Sequence, residues 1–599
     1  MSSYWVKRLN RRRFVVGASA LAGAGAALAL AGCSDNGSSG RPASSSSLIV
    51  EAKDTSAQAK RGGIYLSVTA GDENNLDPTT TPRGAGLGGP GRGAYSRLLR
   101  EKDEPGGRAK PEFLGDFAES WELSDGGLRL SVKLRKDAKL DPRAPTNGRA
   151  LNATDVLYSY ERLSTLSSYS TQLSNKADPA SPVLSVQKVD DHTVNFNLAF
   201  PWVPLFPTLA DGTFFIVPVE GDGKFKLEAE TRGSGPWMLT EYQRSAYFNW
   251  RKNPNWFRKN ELPFLDGYDQ PILAEPAAVE AQFRTKRIYD YLPKRSSVLT
   301  LAKELPGVQL RQSRPDSESL MVFFGAENNP PFKDVRVRRA VSMALDRDLF
   351  ARVDSEADLF EAAGIRDDMD PDTHLPAYFK DAGLWLDSRG SALGDGSKYF
   401  KKDLTEAKKL LTAAGFPNGF DIPGPFRGGL SEAEKLQSIV SEWVGEIGIH
   451  VKLQPVDYQT VWLQGIFVAP AGQKGKYSGL SSHRFGLAQF DPGIALYIRH
   501  HSLGAFTGSR AWDDGQKEVD SVIEKSLQEF DEGKRKSLIQ DAQKKMAVYM
   551  SDIALGYSTR RYSVVWPWVQ NWGFASSFYS VGGADVPYLY TWIDESQKT

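Results

Sequence analysis

This sequence predicts a mixed α/β (α+β) fold with more than one hydrophobic core. Three observations predict it: runs that alternate apolar and polar residues, separate runs with helical period, and a length beyond one core. The body from residue 61 onward is about 540 residues long and calls for several subdomains. Its composition, 40% hydrophobic, 25% charged and 11% aromatic, is that of ordinary globular protein. A net charge of +1 supplies no strong field, so no nucleic-acid partner is expected.

The elements follow in chain order. After the turn Ser124-Asp125-Gly126-Gly127, "GLRLSVKLR" puts Leu128, Leu130, Val132 and Leu134 on one face, the pattern of a half-buried strand. "NATDVLYSYERL" predicts a helix with Asn152 as N-cap, Asp155 near N3, and Val156, Tyr160 and Leu163 on one face. "TVNFNLAFP" alternates through Val194, Phe196 and Leu198, and "YFNWRKNPNWF" is an extended run broken by Asn253-Pro254-Asn255. "KDVRVRRAVSMALDRDLF" predicts a helix capped by Asp334, with Val337, Ala340, Val341, Ala344 and Leu345 as its apolar stripe. "DLTEAKKLLTAAGFPNGF" carries the box Asp403 to Glu406, a stripe of Ala407, Leu410, Leu411 and Ala414, and the stop signals Gly415 and Pro417.

Residues 1–33 read as an address and stand apart from the fold. A basic flank, the uncharged run Phe14 to Ala31 and small residues at its end make a signal peptide. Arg11 and Arg12 open a stretch similar to the twin-arginine export signal. Leu30-Ala31-Gly32-Cys33 resembles a bacterial lipobox, which implies a diacylglyceryl thioether on Cys33 and cleavage just before it. Attachment to a membrane through that lipid, on the extracytoplasmic side, follows from the resemblance. A transmembrane helix is the alternative, and it explains neither the arginines nor the cysteine. Cys33 is the one cysteine, so no disulfide framework is available within the chain. Residues 34–60, rich in Ser, Ala, Gly and Lys, are expected to form a flexible tether spanning roughly 30 Å.

Along the body the order of motifs resembles the family 5 extracellular solute-binding proteins, the peptide/nickel-type substrate-binding lipoproteins and subunits of ABC importers. The blocks are "RGGIYLSVTAGDENNLDP", "GDFAESWELSDGGLRLSVKLRKDAKL", "GRALNATDVLYSYERL", "GSGPWMLTEYQRSAYFNWRKNPNWF", "PPFKDVRVRRAVSMALDRDLF" and "EAKKLLTAAGFPNGF". In the fourth, Ser234 and Trp237 replace the family's Thr and Tyr. The resemblance implies a two-lobed, periplasmic-binding-protein-like fold of type II with an inserted subdomain. Lobe I would comprise 61–95, 235–312 and a C-terminal return at 556–599, with 96–234 inserted, and lobe II would be 313–555. It further implies a monomer that encloses a small or medium organic solute, peptide-like or oligosaccharide-like, and hands it to ABC permease subunits.

Peptide-binding relatives carry Gly-Trp-x-x-Asp-x-x-Asp/Glu-Pro late in lobe II, its first aspartate meeting the ligand amine. Here the stretch is "RFGLAQFDP": Arg484 and Phe485 replace Gly-Trp, Ala488 stands at the amine-binding position, and Asp491-Pro492 is retained. A methyl group cannot neutralise an ammonium, so on this alignment peptide amines lose their anchor. Arg484 offers a guanidinium fork for a carboxylate or phosphate, unless it is a solvated loop residue. Gln489 is a candidate hydrogen-bonding partner for a sugar or amide, and Asp491 is either a turn-former or a ligand contact. Phe485, among many aromatic residues, is a candidate stacking surface.

No metal or other cofactor is expected. His500-His501 is the one adjacent histidine pair, and strand neighbours point to opposite faces, which makes a poor chelate. Gly86 to Gly91 fits Gly-x-Gly-x-x-Gly but follows a Thr/Pro/Arg loop, and neither a Gly-x-Ser-x-Gly elbow nor a Walker loop occurs, so no enzyme is expected. Two other functions stay open: an adhesion or signalling lipoprotein of the same fold, and an extracytoplasmic hydrolase.

Overall fold

The computed structural model describes residues 48–51, 53–73, 75–80, 90–102, 112–167, 169–179, 181–325, 328–367, 369–467, 477–485, 491–504, 513–573, 586 and 588–598. Arg11 and Arg12, expected to open an export signal, and Cys33, expected to carry lipid, lie outside them.

Strand β1 (Ile64–Leu66) opens the body. The next folded block is an antiparallel sheet made of β2 (Ala118–Ser124), β3 (Arg129–Leu134), β4 (Val183–Asp190) and β5 (Thr193–Leu198), in the order β2-β3-β5-β4. Leu130, Val132 and Leu134 are buried as their alternation requires. Leu128 is 39% exposed, because its helical backbone ends the preceding turn before strand register begins. Helix α1 (Ala153–Leu166) packs on this sheet behind a capping box. Asn152 accepts from Thr154 N at 2.8 Å, and Asp155 accepts from Asn152 N at 3.0 Å. Strands β6 (Trp237–Gln243), β7 (Tyr247–Lys252) and β8 (Gly267–Pro271) return to β1 in the order β1-β8-β7-β6, with β1 and β8 parallel.

Past β9 (Asp290–Tyr291) and helix α2 (Arg295–Glu304), strand β10 runs from Gln309 to Phe323. At about 3.3 Å per residue it spans roughly 50 Å. The stretch expected as one helix capped by Asp334 forms two, α3 (Val335–Ala344) and α4 (Arg347–Asp354), followed by short α5 (Ala357–Ala362). Asp346 starts a new cap by accepting from Leu349 N at 3.0 Å. The Arg347 guanidinium meanwhile bonds the Ser342 carbonyl at 3.0 Å at the end of α3. Helix α6 (Leu404–Ala413) has the predicted Asp403 cap, at 2.9 Å to Glu406 N. Parallel strands β11 (Phe420–Arg427) and β12 (Ile449–Val456) flank helix α7 (Ser431–Gly445), and β13 (Ser481–Phe485) joins β10. Helices α8 (Pro492–His500), α9 (Asp514–Gln528) and α10 (Glu532–Tyr549) precede β14 (Ile553–Ala554) and β15 (Tyr557–Val565).

Three large cores result. One gathers Tyr65, Trp237, Trp250, Leu310, Val564 and Ile593. A second gathers Leu320, Val322, Val337, Val341, Ile449 and Tyr557. Antiparallel β10 and β15 pass from the first to the second, and their register shifts between Gln312 and Pro315. The third core joins the 118–198 sheet and α1 to α8, α9 and α10, with Val203 N donating to Leu527 O at 2.9 Å. Residues 48–51 and 53–60, expected as part of the tether, lie against the body: Val50 N donates to Leu310 O at 2.9 Å and Thr55 N to Asn571 Oδ1 at 2.7 Å. The edge of β10 that Leu310 presents to Ile49 gains a parallel partner there, which explains why a polar-looking segment is held.

Candidate functional site

The parallel strands β11 and β12 end side by side at Arg427 and Val456. Carboxyl ends of parallel strands are where open α/β sheets hold ligands. Gly428-Gly429 follows, Gly429 at φ +75°, and the chain turns away without a bulky side chain. On the β12 side, Asp457 opens a wide helical turn in which Trp462 N donates to Asp457 O at 2.9 Å. This turn presents the Tyr458 ring, and the Arg427 guanidinium lies over it at 3.9 Å.

Arg427 is half-buried and has no carboxylate partner among the described residues. Its neighbour His483, on β13, is kept neutral. Burial, then the Arg427 charge, lowers its pKa to about 4. Trp462 stands 5.0 Å from the His483 ring and is fully buried with Met321, Phe323, Ile466 and Tyr477. These apolar residues fix the height of the turn, so Tyr458 and Arg427 sit on a rigid support. The result is one positive charge, flattened on an aromatic ring, beside a neutral imidazole. Such a surface attracts a carboxylate or another compact anion.

The sequence-selected residues fall elsewhere. Arg484 is on β13 and is already paired. Its Nη2 is 2.7 Å from both oxygens of Asp354, which also accepts from Tyr557 Oη at 2.7 Å. Phe485 ends the same strand opposite Ser319, while Ala488 and Gln489 lie outside the described residues. Asp491 caps α8: Oδ1 accepts from Gly493 N at 2.9 Å, Ile494 N at 3.1 Å and Arg535 Nη2 at 2.5 Å. Its side chain is 4% exposed, so its carboxylate is engaged inside the protein.

The histidine pair belongs to the end of α8 and not to a strand, as the sequence had suggested. His500 is buried, with Nδ1 at 3.0 Å from Asp552 Oδ2 and Nε2 at 2.8 Å from His374 O. His501 instead meets Glu524 at 3.1 Å. Among the described residues no group of three or more potential ligands is placed to hold a metal ion.

Long strands β10 and β15 thus join two cores, and the platform of Arg427, Tyr458 and His483 stands at a parallel strand end. Residues 112–496 match the sequence profile of "Bacterial extracellular solute-binding proteins, family 5 Middle", and the chain belongs to that family. Its members are binding proteins of transport and not enzymes. Heme-binding protein A of Haemophilus influenzae is 25% identical over 456 residues, covering 73% of this chain and 76% of that protein. The periplasmic binding protein DppA of Helicobacter pylori, solved with the peptide STSA, superposes with a TM-score of 0.66 at 17% identity, over 90% of this chain and all of that one. NikA of Brucella suis, solved with Fe(III)-EDTA, gives a TM-score of 0.68 at 18% identity, over 88% and 99%. Both structural likenesses speak to the fold, a type II periplasmic-binding-protein architecture. No helix among the described residues is long and apolar enough to cross a membrane.

Proposed function

We propose that this protein is the substrate-binding component of an ABC importer and takes up an organic solute, peptide-like or oligosaccharide-like, that carries an anionic group. One observation carries the reading: two separate cores joined by β10 and β15, in a chain of the family 5 solute-binding proteins. The lobes are read as 61–95 with 235–312 and 556–599, carrying the insert 96–234, and 313–555. Solute that touches both lobes binds the closed arrangement better than the open one, and that difference drives closure. Micromolar capture needs about 8 kcal/mol, within reach of a few charge-assisted hydrogen bonds and some apolar burial.

Arg427 on the Tyr458 ring supports an anionic group on the solute. Arg484, Phe485, Gln489 and Asp491 keep their place in the proposal as the neighbouring strand end and loop, with Arg484 and Asp491 acting through Asp354 and Arg535. Export through Arg11-Arg12 and lipid attachment at Cys33 place the receptor on the outer side of the membrane it serves. A monomer suffices, because one chain supplies both lobes.

Native mass spectrometry of freshly purified protein tests the reading. A co-purified carboxylate-bearing solute, displaced on unfolding, is the expected result. Protein that carries no solute and binds none of a panel of peptides and organic acids contradicts it. Cys33→Ser should release the protein from the membrane fraction, and an unchanged membrane fraction rejects the anchor.

A further inference from the structure

At the carboxyl end of β1, a carboxylate lies among aromatic rings of the first core with no cation to meet it. Strand β1 runs parallel to β8, and Tyr289 N donates to Leu66 O at 2.8 Å, so Asp290, the first residue of β9, comes to the same end. Ends of parallel strands are where open α/β sheets hold ligands, and Arg427 occupies such an end on β11. Asp290 Oδ2 accepts from Trp572 Nε1 at 3.0 Å, and no ion pair reaches the carboxylate among the described residues. Burial raises the Asp290 pKa above its usual value, while Trp572 and Tyr65 oppose the rise and no lysine or arginine helps them.

The surroundings are aromatic and neutral. Tyr588 leans on Tyr65 with ring centres 4.4 Å apart, and its hydroxyl meets Ser67 Oγ. Tyr289 stands edge-on to Tyr65 at 5.5 Å. Burial, then the Asp290 charge, raises the pKa of the Tyr65 and Tyr588 phenols, so neither ionises near neutral pH. Lys598 lies over the Tyr289 ring at 5.1 Å but is paired with Glu595 at 2.9 Å. The Tyr65 hydroxyl is fully buried and has no partner in hydrogen-bond geometry. Asp290, Trp572 and Tyr588 are each partly exposed, so the cluster is open to solvent on their side.

An unpaired carboxylate in such a place costs stability. A protonated amine removes that cost. Its N–H groups suit the free lone pairs of Asp290 and the Tyr65 oxygen, and its charge suits the ring faces. A quaternary ammonium uses the rings but leaves those acceptors unmet. We infer that Asp290, Tyr65, Trp572 and Tyr588 form a subsite for a protonated primary amine carried by the solute. The inference rests on the solute-binding reading above and deepens it: together with the Arg427 platform, it makes the solute dipolar, ammonium in one part and anionic in another.

Indole NMR of the full chain tests the subsite. Trp572→Phe assigns the Trp572 indole N–H, and n-butylammonium chloride is titrated beside n-butanol, its uncharged match. The Trp572 signal should move saturably with n-butylammonium at millimolar concentration and not with n-butanol. Asp290→Asn should weaken n-butylammonium about 10- to 100-fold, and tetramethylammonium should bind the parent at least about tenfold more weakly, for want of N–H donors. The urea midpoint of Asp290→Asn should equal or exceed the parent's, because an unpaired charge has gone. A signal that n-butylammonium leaves unmoved, an equal response in Asp290→Asn, or a clearly lower midpoint in that variant overturns the subsite. A co-purified solute without an amine also overturns it and leaves the receptor reading standing. Saturable n-butylammonium in a protein that carries no solute, and binds none of the peptides and organic acids, keeps the subsite and removes the receptor reading.

Discussion

Two arginines close together in the chain's second half behave oppositely. Arg484 on β13 is bound to Asp354 and steadied by Tyr557 through that carboxylate. Arg427, at the end of β11, has an aromatic ring beneath it and no acidic partner among the described residues. Both are half-buried, and a guanidinium held partly out of water without an anion is costly. The cost is tolerated where function requires the charge to be available, so the unpaired arginine is the better candidate for a solute contact. Charge in a sequence marks capacity, and only packing shows whether that capacity is already taken.

The sharpest way to break this contrast is to remove an engaged charge. Asp491→Ala strips α8 of its cap and leaves Arg535 buried beside Ser526 O with no anion. Breaking such a pair from one side costs about 3–5 kcal/mol. Urea unfolding should show that loss. A fall below about 1 kcal/mol would mean that water reaches Arg535 and that the pair is not structural. Removing the available charge should do the reverse. Arg427→Ala should leave the urea midpoint within about 0.5 kcal/mol, as surface changes do. It should weaken the co-purified solute by about 10- to 100-fold, the value of one or two charge-assisted hydrogen bonds. Calorimetry that shows unaltered affinity would remove Arg427 from the site.

Acid sharpens the contrast from a third side, through histidines that the fold keeps neutral. His374, enclosed near Asp552, His500 and Arg347, has its pKa lowered to about 4 chiefly by burial, and His483 is lowered likewise. A pKa depressed in the folded state means that the unfolded chain binds the proton more tightly. The stabilisation is whole above the unfolded value near 6.5 and is lost as pH falls from there toward 4. Each histidine should contribute a slope of about 1.4 kcal/mol per pH unit across that window. His374→Asn should flatten the dependence of the urea midpoint by one such share. An identical slope in the variant would show that His374 is not the group responsible.

Much of the fold was legible because caps and alternation are local. Asn152, Asp334 and Asp403 cap helices where spacing put them, and Leu130, Val132 and Leu134 face a core. The break of one long amphipathic run at Leu345 was hidden although Asp346 offers a cap, because the Arg347 guanidinium that bonds Ser342 O also reaches Phe400 O, a contact 53 residues away. The docking of residues 48–51 and 53–60 was hidden for the same reason: composition describes what a segment can bury by itself, and here the edge of β10 supplies the missing partner. The platform escaped notice because Arg427, Tyr458 and His483 come from three segments with no shared motif. A glycine pair directly after a strand-terminal arginine was the one local sign of it.

The smallest expected effect bears most directly on how the two arginines divide the work. Arg484→Ala removes a pair whose side chains are 33% and 19% exposed, so solvent can rehydrate Asp354 and Tyr557 keeps one hydrogen bond to it. The loss should be about 0.2–1 kcal/mol of stability, and solute affinity should change less than about twofold. Partner exchange is the competing possibility: solute arriving beside β13 draws Arg484 away from Asp354, and the observed pair is then the resting state of a binding residue. In that case Arg484→Ala loses affinity nearly as Arg427→Ala does, and the double variant loses less than the sum, since both arginines would grip one anion. Comparable and sub-additive losses at the two positions therefore end the contrast, while a large loss at Arg427 alone fixes the anion at the end of β11.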